Sequence, residues 1–197
     1  MTATLKSLII DDLRSCRSRP LLWLANKLPG LHSLNLWARP LLLRLAGVRV
    51  LGPAMICGPV FITMPGRLVL HGDNYINEGC RLDCEGGITL CRGAQIGPRS
   101  ILETVNHENT LGFSRDPRPI TIGEHVWIAS HALILPGVTI GAGSVVAAGS
   151  VVTRDIPAGE LWAGNPAHFV KKPMPKSSLT VPTHNTGEAN RCRMTNA

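Results

Sequence analysis

The sequence predicts an all-β fold: a parallel β-helix of about five triangular coils, with a short helical cap at its N-terminal end. Three observations predict it. The first is a period. Aliphatic residues stand at Ile122, Ile128, Ile134, Ile140, Val146 and Val152, six apart without a miss. The positions two before them, Ile120, Val126, Ala132, Val138, Ser144 and Ser150, are small or β-branched. Six matches neither the 3.6-residue turn of a helix nor the two-residue alternation of a strand. It matches a chain that turns a corner every six residues, so that three sides close a coil of eighteen. The second is where the period fails. Upstream it runs Val50, Ile56, Ile62; Leu70, Ile76, Leu82; Leu90, Ile96, Leu102. The first-side residues Val50, Leu70, Leu90, Ile122 and Ile140 are separated by 20, 20, 32 and 18, so every extra residue falls at one corner. The third is composition: 44% hydrophobic but 4% aromatic residues suit a thin prism filled with Ile, Val and Leu. No coil of this kind buries its own core, and neighbouring coils stabilise one another.

In order, residues 1–19 are polar and basic after a short apolar run and read as an arm or short helix. Residues 20–46 carry Leu and Trp, are broken by Pro29, Gly30 and Pro40, and read as two short helices. Two uses fit them: a cap on the open end of the prism, or, because Arg39 and Arg44 flank leucines, a peripheral membrane or partner contact through residues 20–46. The repeat domain spans 47–172, with a seventeen-residue excursion, ETVNHENTLGFSRDPRP, leaving its third coil between Glu103 and Pro119. Pro157 and Gly159 interrupt the register, and the following LWAGNPAHFVKK reads as a terminal turn or helix that caps the sheet edges. Residues 173–197, rich in Pro, Ser, Thr and Asn, read as disordered.

Bulk properties exclude several classes. A net charge of +7 permits anionic partners, but no nucleic-acid motif or aromatic-interleaved basic stripe accompanies it, so nucleic acid is not an expected partner. Six cysteines (Cys16, Cys57, Cys80, Cys84, Cys91, Cys192) show no zinc-finger pairing and read as reduced thiols of a cytoplasmic protein. Acidic residues interrupt the N-terminal apolar run where a signal core would continue. No apolar run reaches membrane-spanning length.

The segments ITIGEHVWIASHALILPGVTIGAGSVV, GSVVTRDIP and AGNPA, with the upstream coils, resemble the left-handed β-helix acyltransferases over about residues 45–172. Within them the chain is most similar to the maltose/galactoside and nodulation O-acetyltransferases and to acetyltransferases of exopolysaccharide biosynthesis. The resemblance implies a left-handed coil, acetyl-CoA as co-substrate, a sugar or glycan-precursor hydroxyl as acceptor, no metal and a homotrimer. It also implies residue roles. Asn106-His107 matches the loop position of a catalytic histidine. A thioester is already activated, so direct transfer needs one base with a pKa near neutrality to take the hydroxyl proton. GDNYINEGC resembles the segment holding a substrate-binding asparagine, here Asn77, with Glu78 as the alternate because the spacing is one residue shorter. Asn77 would also suit a coil corner, since asparagine tolerates left-handed backbone. Asn77 and His107 leave different sides, so they are expected to meet across a subunit boundary. Ser130, Ala148 and Thr153 match positions that contact coenzyme A, and each is also what the repeat requires. Trp127 matches a tryptophan beside that groove. His168 and Lys171 stand where relatives carry basic residues near the nucleotide phosphates, with His168 replacing an arginine.

Three other readings fit the same prism: N-acetylation of an amino sugar, a scaffold without catalysis, and a zinc carbonic anhydrase-like centre. For the last, His125 and His131 are six apart. They hold equivalent places on adjacent sides, so their side chains diverge.

Overall fold

A computed structural model describes residues 18–107 and 115–172. The six-residue columns become the faces of a three-sided prism, with three parallel sheets. The first face stacks Arg49–Val50, Leu68–Leu70, Ile88–Leu90, Ile120–Ile122 and Thr139–Ile140. The second stacks Ala54–Ile56, Asn74–Ile76, Gln95–Ile96, Trp127–Ile128, Val145–Val146 and Leu161–Ala163. The third stacks Phe61–Thr63, Arg81–Asp83, Ile101–Glu103, Leu133–Ile134 and Val151–Val152.

Register follows the sequence columns. Val50, Leu70, Leu90, Ile122 and Ile140 are successive partners on the first face. Ile76, Ile96, Ile128 and Val146 are partners on the second, and Leu82, Leu102, Ile134 and Val152 on the third. All point into the prism and are at most 7% exposed. Burying each such side chain stabilises by roughly 1.5–3 kcal/mol, and the gain repeats coil after coil. The small residues two positions earlier, such as Ala132, Ser144 and Ser150, are also buried and fill the corners. Ser150 Oγ accepts the Gly164 N–H at 3.2 Å, so the corner hydroxyl satisfies the next turn of backbone.

All three corners use left-handed backbone, the one after the third face at Met64, Gly87 and Gly137, and the other two repeat it in register. At the corner after the first face, Asp73, Gly93, His125 and Gly143 have φ between 52° and 71°; at the corner after the second, Gly79, Arg99, His131 and Gly149 have φ between 58° and 73°. Histidine is among the few side chains that visit this region readily. His125 and His131 are therefore equivalent corner residues on adjacent sides. Among the described residues no three His, Cys, Asp or Glu side chains form a metal-holding group.

The N-terminal segment forms helix α1 (residues 18–27), then a π-helical turn, Leu34–Ala38, that continues into helix α2, Arg39–Leu45. They sit on the first coil. Asn26 donates to the Val60 carbonyl at 2.8 Å and accepts its N–H at 2.9 Å, and the buried Arg39 Nε donates to the Ala25 carbonyl at 3.0 Å. No described helix is long and apolar enough to cross a membrane.

At the other end the turn alternative holds, at residues 164–167, but it joins two strands that the sequence reading did not include. LWAGNPAHFVKK forms no helix. Leu161–Ala163 adds a parallel rung to the second face, and His168–Lys171 folds back antiparallel beside it. The coil there is two residues shorter: Ile156 pairs with Ile140, and Trp162 with Val146, so a tryptophan takes the core position. The expected arm at residues 1–17 and tail at 173–197 lie outside the described residues.

Candidate active site

The corner after the second face is built from small residues stacked coil upon coil. Asn77, Gly97, Ala129 and Ala147 each follow a core residue of that face, and their N–H groups donate to Ile96, Ile128, Val146 and Trp162 carbonyls at 2.7–3.0 Å. The small column recesses the corner. Beside it Tyr75, Gln95 and Trp127 stand on the outer surface of the second face, in register with one another. The result is a groove of about 240 Å³ lined by Tyr75, Asn77, Gln95, Gly97, Trp127 and Ser130, among others. Three residues singled out from sequence therefore share one site: Asn77, Trp127 and Ser130.

Asn77 is half-buried there, and its Oδ1 accepts the Glu78 N–H at 3.1 Å. The left-handed residue of its corner is Gly79, with φ 73°, so the turn makes no use of asparagine's conformational tolerance. Glu78, the alternate, is exposed. Trp127 is 53% exposed, a large apolar surface at the groove wall. Ala148 occupies the equivalent of Ser130 one coil on and is exposed, and the Ser130 carbonyl between them accepts the Gly149 N–H at 2.9 Å.

Thr153 lies elsewhere. It follows Val152 on the third face, so Ser130 and Ala148 border one edge of that face and Thr153 the other. His168 and Lys171 are exposed on the terminal antiparallel strand. There Arg154 Nη2 donates to His168 Nδ1 at 3.1 Å, while its guanidinium lies 5.5 Å from the centre of the Trp162 ring. Arg154 thus places a guanidinium directly beside His168. It sits inside the GSVVTRDIP segment, but its reach to His168 depends on a fold-back that the repeat pattern does not contain.

The seventeen-residue excursion leaves the corner after the third face, and its ends pair. Val105–His107 and Arg115–Pro117 form an antiparallel ladder with His107 opposite Arg115. The root of this arm is clamped to the coil before it. Thr104 Oγ1 donates to the Asp83 carbonyl at 2.7 Å and accepts the Gly86 N–H at 2.8 Å, and Arg115 pairs with Glu85 at 2.5 Å. The shorter insertion of the second coil thus supports the arm that carries His107. His107 and the Asn77 groove belong to different corners of the prism.

One acidic pair at the arm's root was missed by sequence reasoning. Asp83 and Glu103 are register partners on the third face. Burial, then the hydrogen bond to Asp83, pushes the Glu103 carboxyl up to about 7. Burial would raise Asp83 as well, but hydrogen bonds from Glu103, the Thr63 hydroxyl and the Glu85 N–H hold it below its usual value. The Thr63 bond is 2.6 Å. At neutral pH the Asp83 carboxyl is ionised and Glu103 is about half protonated, and the proton is held between the two carboxylates as pH falls below that. The signal was available as a twenty-residue spacing between two carboxylates in the same column.

Cys80, Cys84 and Cys91 are buried cysteines outside any disulfide. Burial pushes Cys80 up to about 11 and Cys84 higher still, so both are small packing groups rather than nucleophiles.

Comparison with known proteins decides the family. Residues 119–154 match the model described as bacterial transferase hexapeptide (six repeats). The chain is 36% identical over 135 residues to the protein named "Putative colanic acid biosynthesis acetyltransferase WcaF" of Escherichia coli (strain K12), covering 68% of this chain and 74% of that one. The chain belongs to the hexapeptide-repeat acetyltransferases. Among solved structures, a galactoside acetyltransferase in complex with coenzyme A superposes with a TM-score of 0.76 at 25% identity, covering 91% of this chain and 90% of that one. A hexapeptide-repeat acetyltransferase of Vibrio cholerae O1 biovar eltor complexed with acetyl coenzyme A superposes at 0.73 and 27% identity, covering 82% and 87%. This acetyltransferase thus shares its fold with enzymes solved in complex with coenzyme A or acetyl coenzyme A.

Proposed function

We propose that the chain moves an acetyl group from acetyl-CoA to a hydroxyl of a sugar or polysaccharide precursor, by direct transfer with His107 as general base. The observation that carries this reading is the recessed corner where Asn77, Trp127 and Ser130 converge, on a prism whose long excursion bears His107. The named activities of its relatives, colanic acid biosynthesis and galactoside acetylation, support a carbohydrate acceptor.

The donor is acetyl-CoA. The small residues Gly97, Ala129 and Ala147 leave a shelf beside Trp127 against which a flexible acyl-pantetheine arm can lie. Ser130 and Ala148 continue that shelf toward the C-terminal coils, where Arg154, His168 and Lys171 offer positive charge and donors to phosphates. Thr153, at the other edge of the third face, contacts the donor from a neighbouring prism's side of the boundary. Asn77 positions the acceptor. His107 takes the acceptor hydroxyl proton as its oxygen bonds to the acetyl carbon, and the carbon–sulfur bond breaks. The proton then passes to the departing thiol. A backbone N–H near Ser130 stabilises the oxyanion. Because His107 and Asn77 leave different corners, one complete site needs two prisms, and the working assembly is a homotrimer. The reading places the enzyme in the cytoplasm, with its reduced thiols.

The test is an acceptor screen with acetyl-CoA, read by thiol release and by mass shift of the acceptor. The expected product is a carbohydrate ester that hydroxylamine cleaves. Thiol release with no carbohydrate, or a product stable as an amide, overturns the hydroxyl assignment.

A further inference from the structure

We propose that the N-terminal helical cap is a docking surface for an anionic lipid bilayer. The cap has two unlike sides. Its inner residues belong to the core: Ala25 and Leu43 are each 1% exposed. Its outer side leaves Trp23, Leu24, Leu31, Trp37, Leu41 and Leu45 between 44% and 74% exposed. On α2 and the turn before it, Trp37, Leu41 and Leu45 recur every four residues, one stripe along a helix. On α1, Trp23 is bracketed at the same spacing by the exposed Arg19 and Lys27, and the Lys27 ammonium lies 5.7 Å from the centre of its ring. The helices' core-facing positions are already filled by other residues, so packing on the prism does not use these side chains.

Charge selects the occupant. The sixty residues between Asp12 and Asp73 contain eight Lys or Arg and no Asp or Glu; Arg39 among them is buried inside the cap, while Arg19, Lys27 and Arg44 are exposed on its helices. A second copy docking through the same face would set like charge against like. Tryptophans and leucines rimmed by basic residues match an interface of acyl chains below anionic headgroups, with long cationic side chains reaching the phosphates. No described helix is long enough to cross a bilayer, so the contact lies along the surface. This inference rests on the cap alone and does not depend on which hydroxyl is acetylated.

The test is flotation of the full chain with vesicles of phosphatidylcholine alone, and of phosphatidylcholine with about 30% phosphatidylglycerol. The chain is expected to float with the anionic vesicles, with a blue shift of tryptophan emission. Association should fall about tenfold or more on neutral vesicles or at high salt. Trp37→Ser with Leu41→Ser should lower it on every vesicle. Arg19→Glu with Lys27→Glu should lower it on anionic vesicles while leaving thermal unfolding unchanged, since both side chains are exposed. No flotation of the wild type, or flotation indifferent to both double variants, overturns the proposal. So does a serine variant that changes the light-scattering mass with no effect on vesicles, because the face then belongs to another copy of the chain.

Discussion

Two corners of the same prism have opposite characters. The corner after the second face holds one length throughout: Asn77, Gly97, Ala129 and Ala147 stack without an inserted residue, and a methyl group at Gly97 would meet the Ala129 carbonyl carbon at 2.6 Å and the Ser130 nitrogen at 2.7 Å. The corner after the third face absorbs every insertion: a 3-10 turn at Pro65–Arg67, a turn at residues 84–87, and the arm. There the room varies with the insertion: a methyl at Gly66 meets nothing nearer than the Gly47 carbonyl at 4.0 Å, whereas one at Gly86, under the arm, meets the Arg118 carbonyl oxygen at 2.6 Å. The lesson is a division of labour. A corner of constant length can hold a groove whose walls repeat every coil. A corner of variable length can extend an arm without disturbing the columns of the core.

The largest expected effect falls on the variable corner. His107→Ala should lower kcat by about 10²–10⁴, the contribution of a positioned general base, with acetyl-CoA affinity and folding nearly unchanged. The wild-type rate should rise with pH through the histidine range, because the neutral imidazole accepts the proton. Steady-state kinetics with saturating acceptor check both, and full turnover in the variant removes His107 from the mechanism.

A smaller effect compares the corners with one substitution. Gly97→Ala should cost about 1–3 kcal/mol, since backbone of the next coil must shift. Gly66→Ala should stay within about 0.5 kcal/mol. Denaturant melts of the two variants measure the difference, and equal losses would break the contrast.

The smallest effect lies at the arm's root. The Glu103 carboxyl titrates at about 7 in the folded chain against an ordinary 4.5, so its contribution to stability is complete below pH 4.5 and is lost as pH rises through 7. Asp83, held low, acts with the opposite sign and only in the acid range, losing its contribution as pH falls. The melting temperature of the wild type should therefore decline between about pH 4.5 and 7 relative to Glu103→Gln. The decline should be modest because solvent screens this half-buried pair. Parallel curves for the two proteins would contradict the shared proton.

The columns of the core were legible in the sequence because each inward residue repeats at a fixed interval, and the interval alone fixes face and register. Placing all insertions at one corner was legible for the same reason. The arm was legible as an excursion but not as a ladder, since Val105–His107 and Arg115–Pro117 pair through backbone and polar clamps that leave no period. The turn at the C-terminal end was legible but the rung beside it was not, because the coil shortens by two residues and Trp162 replaces an aliphatic. At the groove, Asn77 was legible as a motif residue, whereas Tyr75 and Gln95 emerge only once coils of unequal length are set in register. The side chain of Arg154 turns to His168 only after the chain reverses, which no local spacing records.

The central claim is that the groove of one prism and the arm of another make one site. Co-expression of Asn77→Ala chains with His107→Ala chains tests it most directly. Each variant alone should be nearly inactive. If the site is shared across a boundary, random mixing leaves both wild-type residues at about a quarter of the boundaries, and activity should return to about a quarter of the wild type. If the mixture shows no more activity than the two variants measured separately, each chain carries its own complete site and the shared-corner account is contradicted.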